Sequence, residues 1–140
     1  MELYLLHVFL AALGAFVAYM AMGFALFAAM PAMKTEFMKY PNVYREEKDL
    51  MKHMPLGMLF IFISILMLAV LYTHMQPWES GWLQGLCFGV LIGVFALGTF
   101  VIHNHVNLRI GWMLTTQQGI AYFTQWVTVG IILGIIYSSV

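Results

Sequence analysis

Asp49, His53, His103 and His105 are the residues of this 140-residue sequence best equipped for chemistry. Carboxylates and imidazoles ligate transition metals when three or four of them converge. Asp49 and His53 are four apart and share one helical face, whereas His103 and His105 are two apart and on a helix would diverge by about 200°. Convergence therefore requires that the chain has left the helix by residue 103. Hydrated interfacial imidazoles are the plainer reading, because no compact ligand motif is present. His7 and His74 raise a second option, a haem held between facing helices of a four-helix bundle. The 12 methionines would add axial ligands, although Met more often fills packing gaps. The expectation is no cofactor, with a transition metal or haem as the alternatives.

A second group is polar and uncharged: Tyr19, Ser64, Gln118, Tyr122, Gln125 and Thr128. Gln118, Tyr122 and Gln125 fall at i, i+4, i+7 and form one helical stripe. Amides and hydroxyls at membrane depth bond between helices for about 0.6 kcal/mol each, which is the packing reading. The alternative is a small polar pocket for a neutral solute. No nucleophile and base pair, phosphate loop or paired carboxylates occur, so no enzyme is expected. Cys87 stands alone and has neither a disulfide partner nor metal-ligand spacing.

The elements that must position these groups follow from composition. Hydrophobic residues make up 63% of the chain and charged residues 9%, against about 25% charged in soluble domains. An all-α integral membrane bundle of four transmembrane helices is predicted, in a single domain covering residues 1–140. The spans read as 3–30, 55–75, 81–102 and 117–137, none containing a charged residue. The first, about 42 Å long at about 1.5 Å per residue, must tilt or project into water, and it is too long for the apolar core of an export signal. Lys34, Lys39, Arg45, Lys48 and Lys52 lie between spans one and two, and Arg109 lies between spans three and four. Basic residues mark cytoplasmic loops, so 31–54 and 103–116 are expected inside and both termini outside, with Trp78 and Trp82 in the outer aromatic belt. The formal net charge is zero, which gives no footprint for nucleic acid.

Span three carries Gly81, Gly85, Gly89 and Gly93 at four-residue intervals, and span four carries Gly130 and Gly134. Such a bare ridge lets another backbone approach closely where lipid supplies no hydrophobic drive. Span one offers Ala11, Gly14, Ala15 and Ala18, then Ala21, Ala25 and Ala29. Between spans one and two, "PAMKTEFMKYPNVY" suits chain lying at the interface, with its Lys heads snorkelling to water. "REEKDLMKHM" has helical composition, pairs Arg45 with Asp49 at i, i+4 and leads into span two through Pro55. Thr115 and Gln118 have the spacing of a capping box that would start span four. "VIHNHVNLRIGW" would then be a polar turn, with Arg109 anchoring it and Trp112 at the interface.

"YPNVYREEKDLMKHMPLGMLF", "GLCFGVLIGVFALGTF" and "GIAYFTQWVTVGIILGIIY" together resemble a broad group of small four-span bacterial membrane proteins to which no activity is assigned. The resemblance covers roughly residues 40–137 and implies a fold, a bacterial cytoplasmic (inner) membrane setting and no catalytic residues. The expected function is non-catalytic. A multi-pass membrane protein would act by helix packing, as a homo-oligomer or accessory subunit joined through the glycine ridge to itself or to another membrane protein. A transporter or channel for a small uncharged solute is the alternative. A haem- or metal-binding subunit ranks below both.

Overall fold

The computed structural model describes residues 2–75 and 79–138, so Trp78 lies outside the described residues. The described chain is all-helical. Its helices are α1 (Glu2–Ala29), α2 (Pro31–Met38), α3 (Glu47–Thr73), α4 (Gly81–Ala96), α5 (His103–Asn107) and α6 (Trp112–Ser138), with a π-helical turn at Leu97–Ile102 joining α4 to α5. Among the described residues four helical stretches are long and apolar enough to cross a membrane: Tyr4–Ala29, Glu47–Thr73, Gly81–Asn107 and Trp112–Ser138. A lipid core offers the backbone no hydrogen-bond partner, so an apolar chain of this kind satisfies itself as helix.

Residue pairings fix the topology. Gly14 meets Ile136 and Gly23 meets Gln125, so α1 and α6 are antiparallel. Gly81 meets Gly134, Gly85 meets Gly130, Gly89 meets Val127 and Gly93 meets Phe123, so α4 and α6 are antiparallel as well. α3 runs against α1, with Tyr4 bonded to Thr73 at 2.7 Å and the Phe62 ring edge-on to Phe9 and Phe16 at 5.8 and 5.6 Å. The order across the bundle is α3, α1, α6, α4. Tyr72 on α3 closes the far end, its ring 5.2 Å from Phe88 and 5.5 Å from Tyr137.

The glycine ridge is spent inside the chain. A Cβ on Gly89 would lie 2.8 Å from Val127 Cα, and one on Gly134 would lie 2.8 Å from Gly85 Cα. The Gly130 carbonyl occupies the place of a Gly85 Cβ, and the Gly85 carbonyl that of a Gly130 Cβ, the arrangement of Cα–H···O contacts worth about 0.5–1 kcal/mol each. Gly81, Gly85, Gly89, Gly93, Gly130 and Gly134 thus face one another or α6 side chains, and the expected use of this ridge for a second protein is corrected: α6 of the same chain covers it. In α1 the alanines divide. Ala11, Ala12 and Ala15 are fully buried, while Ala21, Ala25 and Ala29 are exposed.

Helix ends differ from the expected spans for local reasons. α3 starts at Glu47, with Glu47 and Asp49 in its first turn where the helix dipole favours anions, and it carries Pro55 inside the helix. α4 runs through the π turn to Asn107, so the polar segment is a turn only over 108–111. The connector after α1 is helical at α2, where Pro31 supplies the pre-set φ of a first helical residue. Thr115 does not cap α6. The helix has already begun at Trp112, and the Thr115 hydroxyl donates to Gly111 O at 3.1 Å.

α3 is the least embedded of the four long apolar stretches. Only 11% of its most apolar stretch is buried, against 28% for α1 and for Gly81–Asn107. Its buried residues, Ile65, Ala69 and Tyr72, lie in the half away from the basic connector. We expect Gly85→Ala and Gly130→Ala each to cost about 1–3 kcal/mol, because the new methyl meets backbone that cannot move aside. Gly57→Ala, whose Cβ meets nothing within 4 Å, should be neutral or gain up to about 1 kcal/mol of helix propensity. Thermal or denaturant unfolding in detergent checks the contrast, and a Gly130→Ala protein as stable as the parent contradicts the ridge packing.

Candidate functional site

Thr115, Gln117, Gln118 and Gln125, buried polar residues of α6, lie in the half of the bundle that carries the basic connector, and Gln84 is buried in the other half. After α2 the backbone turns at Pro41, with the Val43 and Tyr44 amides both donating to Tyr40 O at 3.0 and 3.1 Å. This turn aims two phenols at the start of α6. The Gly111 amide donates to the Tyr40 hydroxyl at 2.8 Å, and Gln118 Nε2 donates to the Tyr44 hydroxyl at 3.2 Å. Phe37 holds the Tyr44 ring edge-on at 4.7 Å. Tyr40 and Tyr44 escaped the sequence reading, because they reach α6 from 71 and 74 residues away.

Of the expected polar pocket, the structure brings together Tyr19, Gln118, Tyr122 and Gln125. Gln125 Nε2 donates to the Tyr19 carbonyl at 3.2 Å, in the space left by Gly23. Tyr122 rests edge-on against Phe100 at 5.0 Å, one turn from Gln118 on the same face of α6. Two members do not join. Ser64 is exposed on α3 and bonds back to Phe60 O at 2.9 Å, and Thr128 bonds back to Thr124 O at 2.9 Å. Both hydroxyls take the nearest helical carbonyl, which spacing along the chain does not reveal. The side-chain oxygens of Gln117 and Gln118 are buried without a protein hydrogen-bond partner. They are acceptors, so the group that would satisfy them is an N–H or O–H donor.

The four proposed metal ligands do not converge. Among the described residues no three His, Cys, Asp or Glu groups are placed to hold one ion. Asp49 and His53 do meet, with Nδ1 to Oδ1 at 3.7 Å, but the carboxylate is already bonded to Arg45 at 2.7 Å and His53 Nδ1 lies 2.9 Å from Asp49 O. His103 and His105 stay on α5, where helical geometry splays them. His103 is exposed. His105 is tied to α6, its Nδ1 2.8 Å from Thr115 Oγ1 and its ring centroid 3.8 Å from that of Trp112. Because the Thr115 proton goes to Gly111 O, His105 Nδ1 is the donor in that bond. Of the haem pair, His7 packs on the Tyr137 ring at 5.5 Å and His74 is exposed, with its Nδ1 2.9 Å from Val70 O.

Charges on the connector are largely paired at the surface. Lys34 meets Glu47 at 3.9 Å and Lys39 meets Glu36, whose hydrogen bond raises the Lys39 pKa above the usual lysine value. Arg109 is exposed and has no such partner among the described residues.

The histidines should therefore separate on substitution. His105→Asn is expected to lower stability by about 1 kcal/mol through loss of the Thr115 bond and the Trp112 contact. His103→Asn should leave it unchanged. Metal content of protein taken from its native membrane should be the same in both variants and the parent, and a stoichiometric metal lost from the double variant would restore the ligand cluster.

No protein-family model, curated protein or solved structure matches this chain, so its functional reading rests on the geometry above.

Proposed function

We propose that this multi-pass membrane protein is non-catalytic and acts by helix packing, as a homo-oligomer or as an accessory subunit of a larger membrane complex. The observation that carries the reading is the uneven packing of the bundle. α6 is gripped from two sides by α1 and α4, while α3 turns Leu56, Leu59, Phe60 and Ile63 outward beside the open Gly57. Since the glycine ridge is covered, the contact surface is assigned to α3. A small residue beside large apolar ones is the composition with which transmembrane helices meet.

The core supports this reading over a carrier. Beyond Gln125, toward the chain termini, the interior is mainly apolar, built from Val8, Ala11, Ala12, Ala15, Ile65, Ala69, Val129 and Leu133, with Gln84, Tyr72 and the His7 ring as polar groups among them. Ion-coupled transport is usually marked by ionisable residues at depth, and the central apolar stretches carry none. The unpartnered Gln117 and Gln118 oxygens favour a second reading, in which the inner end binds a small uncharged donor without passing it across. The setting we propose is the bacterial cytoplasmic membrane, in the group the sequence resembles, with the basic end inside.

Single cysteines in a Cys87→Ser background test the assignment. Cysteines at Leu56 or Leu59 should give cross-linked products in native membranes, and cysteines at Leu91 or Val94 on the exposed face of α4 should not. Cross-linking from α4 alone would overturn the choice of surface. Cysteines at Lys48 and Arg109 should be labelled only from the cytoplasm, and labelling from outside would reverse the orientation.

A further inference from the structure

Where the glycine ridge ends, α4 and α6 part. The π turn at Leu97–Ile102 follows directly, and between it and α6 runs an open groove walled by Leu97, Val101, Ile102, Gly119 and Phe123, with Trp112 at its mouth. Its length follows from α6: Trp112 to Phe123 is eleven residues, about 16 Å at about 1.5 Å per residue. That is half of a hydrocarbon core of about 30 Å, the depth of a single leaflet. The groove begins at the basic end of the bundle, where the indole of Trp112 is exposed. Arg109 lies three residues before Trp112 and is exposed, and no carboxylate among the described residues engages it.

We infer that this groove holds one acyl chain of an anionic phospholipid whose phosphate is bound by Arg109. Three features select that occupant. The walls are mostly carbon, with Thr115 and Thr116 as the polar residues toward the Trp112 end and the Thr115 hydroxyl already donated to Gly111 O, which suits a hydrocarbon chain better than a polar solute. The groove stops at one leaflet's depth, whereas a partner transmembrane helix would need a face running the full span. Arg109, exposed in the 108–111 turn between two membrane-spanning stretches, offers the planar fork that a phosphate takes. Gly119 keeps the groove floor low: a Cβ there would already touch Leu97 Cδ2 at 3.4 Å and Val101 Cγ1 at 3.8 Å, so a leucine side chain has to extend beyond them into the groove. Trp112 reports on the occupant, since it lines the same groove.

The test uses full-length protein with the other three tryptophans replaced by Phe, reconstituted in vesicles with brominated phosphatidylglycerol or brominated phosphatidylcholine, bromine being a contact quencher of indole. Trp112 should be quenched at about fivefold lower mole fraction by the phosphatidylglycerol, the preference expected from one basic residue at a membrane surface. Arg109→Gln should abolish that preference while leaving helix content unchanged, because the side chain is exposed. Gly119→Leu should weaken quenching by both lipids. Equal quenching by the two lipids in the parent, or an undiminished preference in Arg109→Gln, would show that Trp112 samples only bulk lipid and would overturn the assignment. Should Gly119→Leu not fold, the Arg109→Gln comparison decides alone.

Discussion

Backbone contact between α4 and α6 sets the register from which the polar end takes its geometry. In lipid, apolar side chains gain nothing by leaving one apolar neighbour for another, so association depends on close fit and on contacts between polar backbone groups. Four glycines at four-residue spacing on α4, met by Gly130 and Gly134 on α6, let the carbonyls of one helix rest on the Cα atoms of the other. This pins Gly85 opposite Gly130 and Gly93 opposite Phe123. Once those pairs are set, Gly119 must fall beside Leu97 and Val101, and Thr115 beside His105. At Gly93 the glycine faces the Phe123 ring instead of α6 backbone alone, and from there the contact passes to side chains. The groove and the His105–Thr115 bond are consequences of one register.

The other side of α6 is held differently. α1 contributes Ala11, Ala12 and Ala15 as a smooth buried surface, and the polar contact on this seam is the Gln125 amide on the Tyr19 carbonyl. A buried amide without a partner costs about 1–3 kcal/mol, so this bond fixes where along α1 the Gln125 layer can sit. Gly23 matters for the same reason, because a methyl there would collide with the amide. The small residues of α1 therefore serve two purposes: close approach near the termini, and room for a polar side chain near the connector.

The architecture could be read from the sequence because it depends on average properties. Apolar runs of sufficient length and an i, i+4 glycine row are visible without knowing what they touch. The partner of the ridge was not, since Gly130 and Gly134 of the same chain and a ridge on another protein make the same sequence pattern. The site was legible only in part. Gln118, Tyr122 and Gln125 were found because one helical face carries them, but Tyr40 and Tyr44 reach α6 from 71 and 74 residues away, and no local periodicity announces such pairs. Ser64 and Thr128 failed because a hydroxyl in a helix can always bond to the carbonyl one turn back. The histidine cluster failed on backbone conformation. It required the chain to leave the helix before residue 103, and the π turn instead carries it on to Asn107.

α3 shows how the parts combine. Its attachments are the edge-on Phe62 contacts, the buried Ile65 and Ala69, and the ring stack of Tyr72 on Tyr137, followed by the hydroxyl pair of Tyr4 and Thr73. All of them lie from Phe62 onward, so the preceding four turns make few buried contacts within the chain. At the connector end α3 is tied by surface ion pairs, Lys34 with Glu47 and Arg45 with Asp49, each exposed and worth at most about 1 kcal/mol. A stretch with few buried contacts opens locally at lower cost than one buried along its length. Any neighbour that packs on Leu56, Leu59 and Phe60 therefore orders a segment that the chain's own contacts leave loosely held.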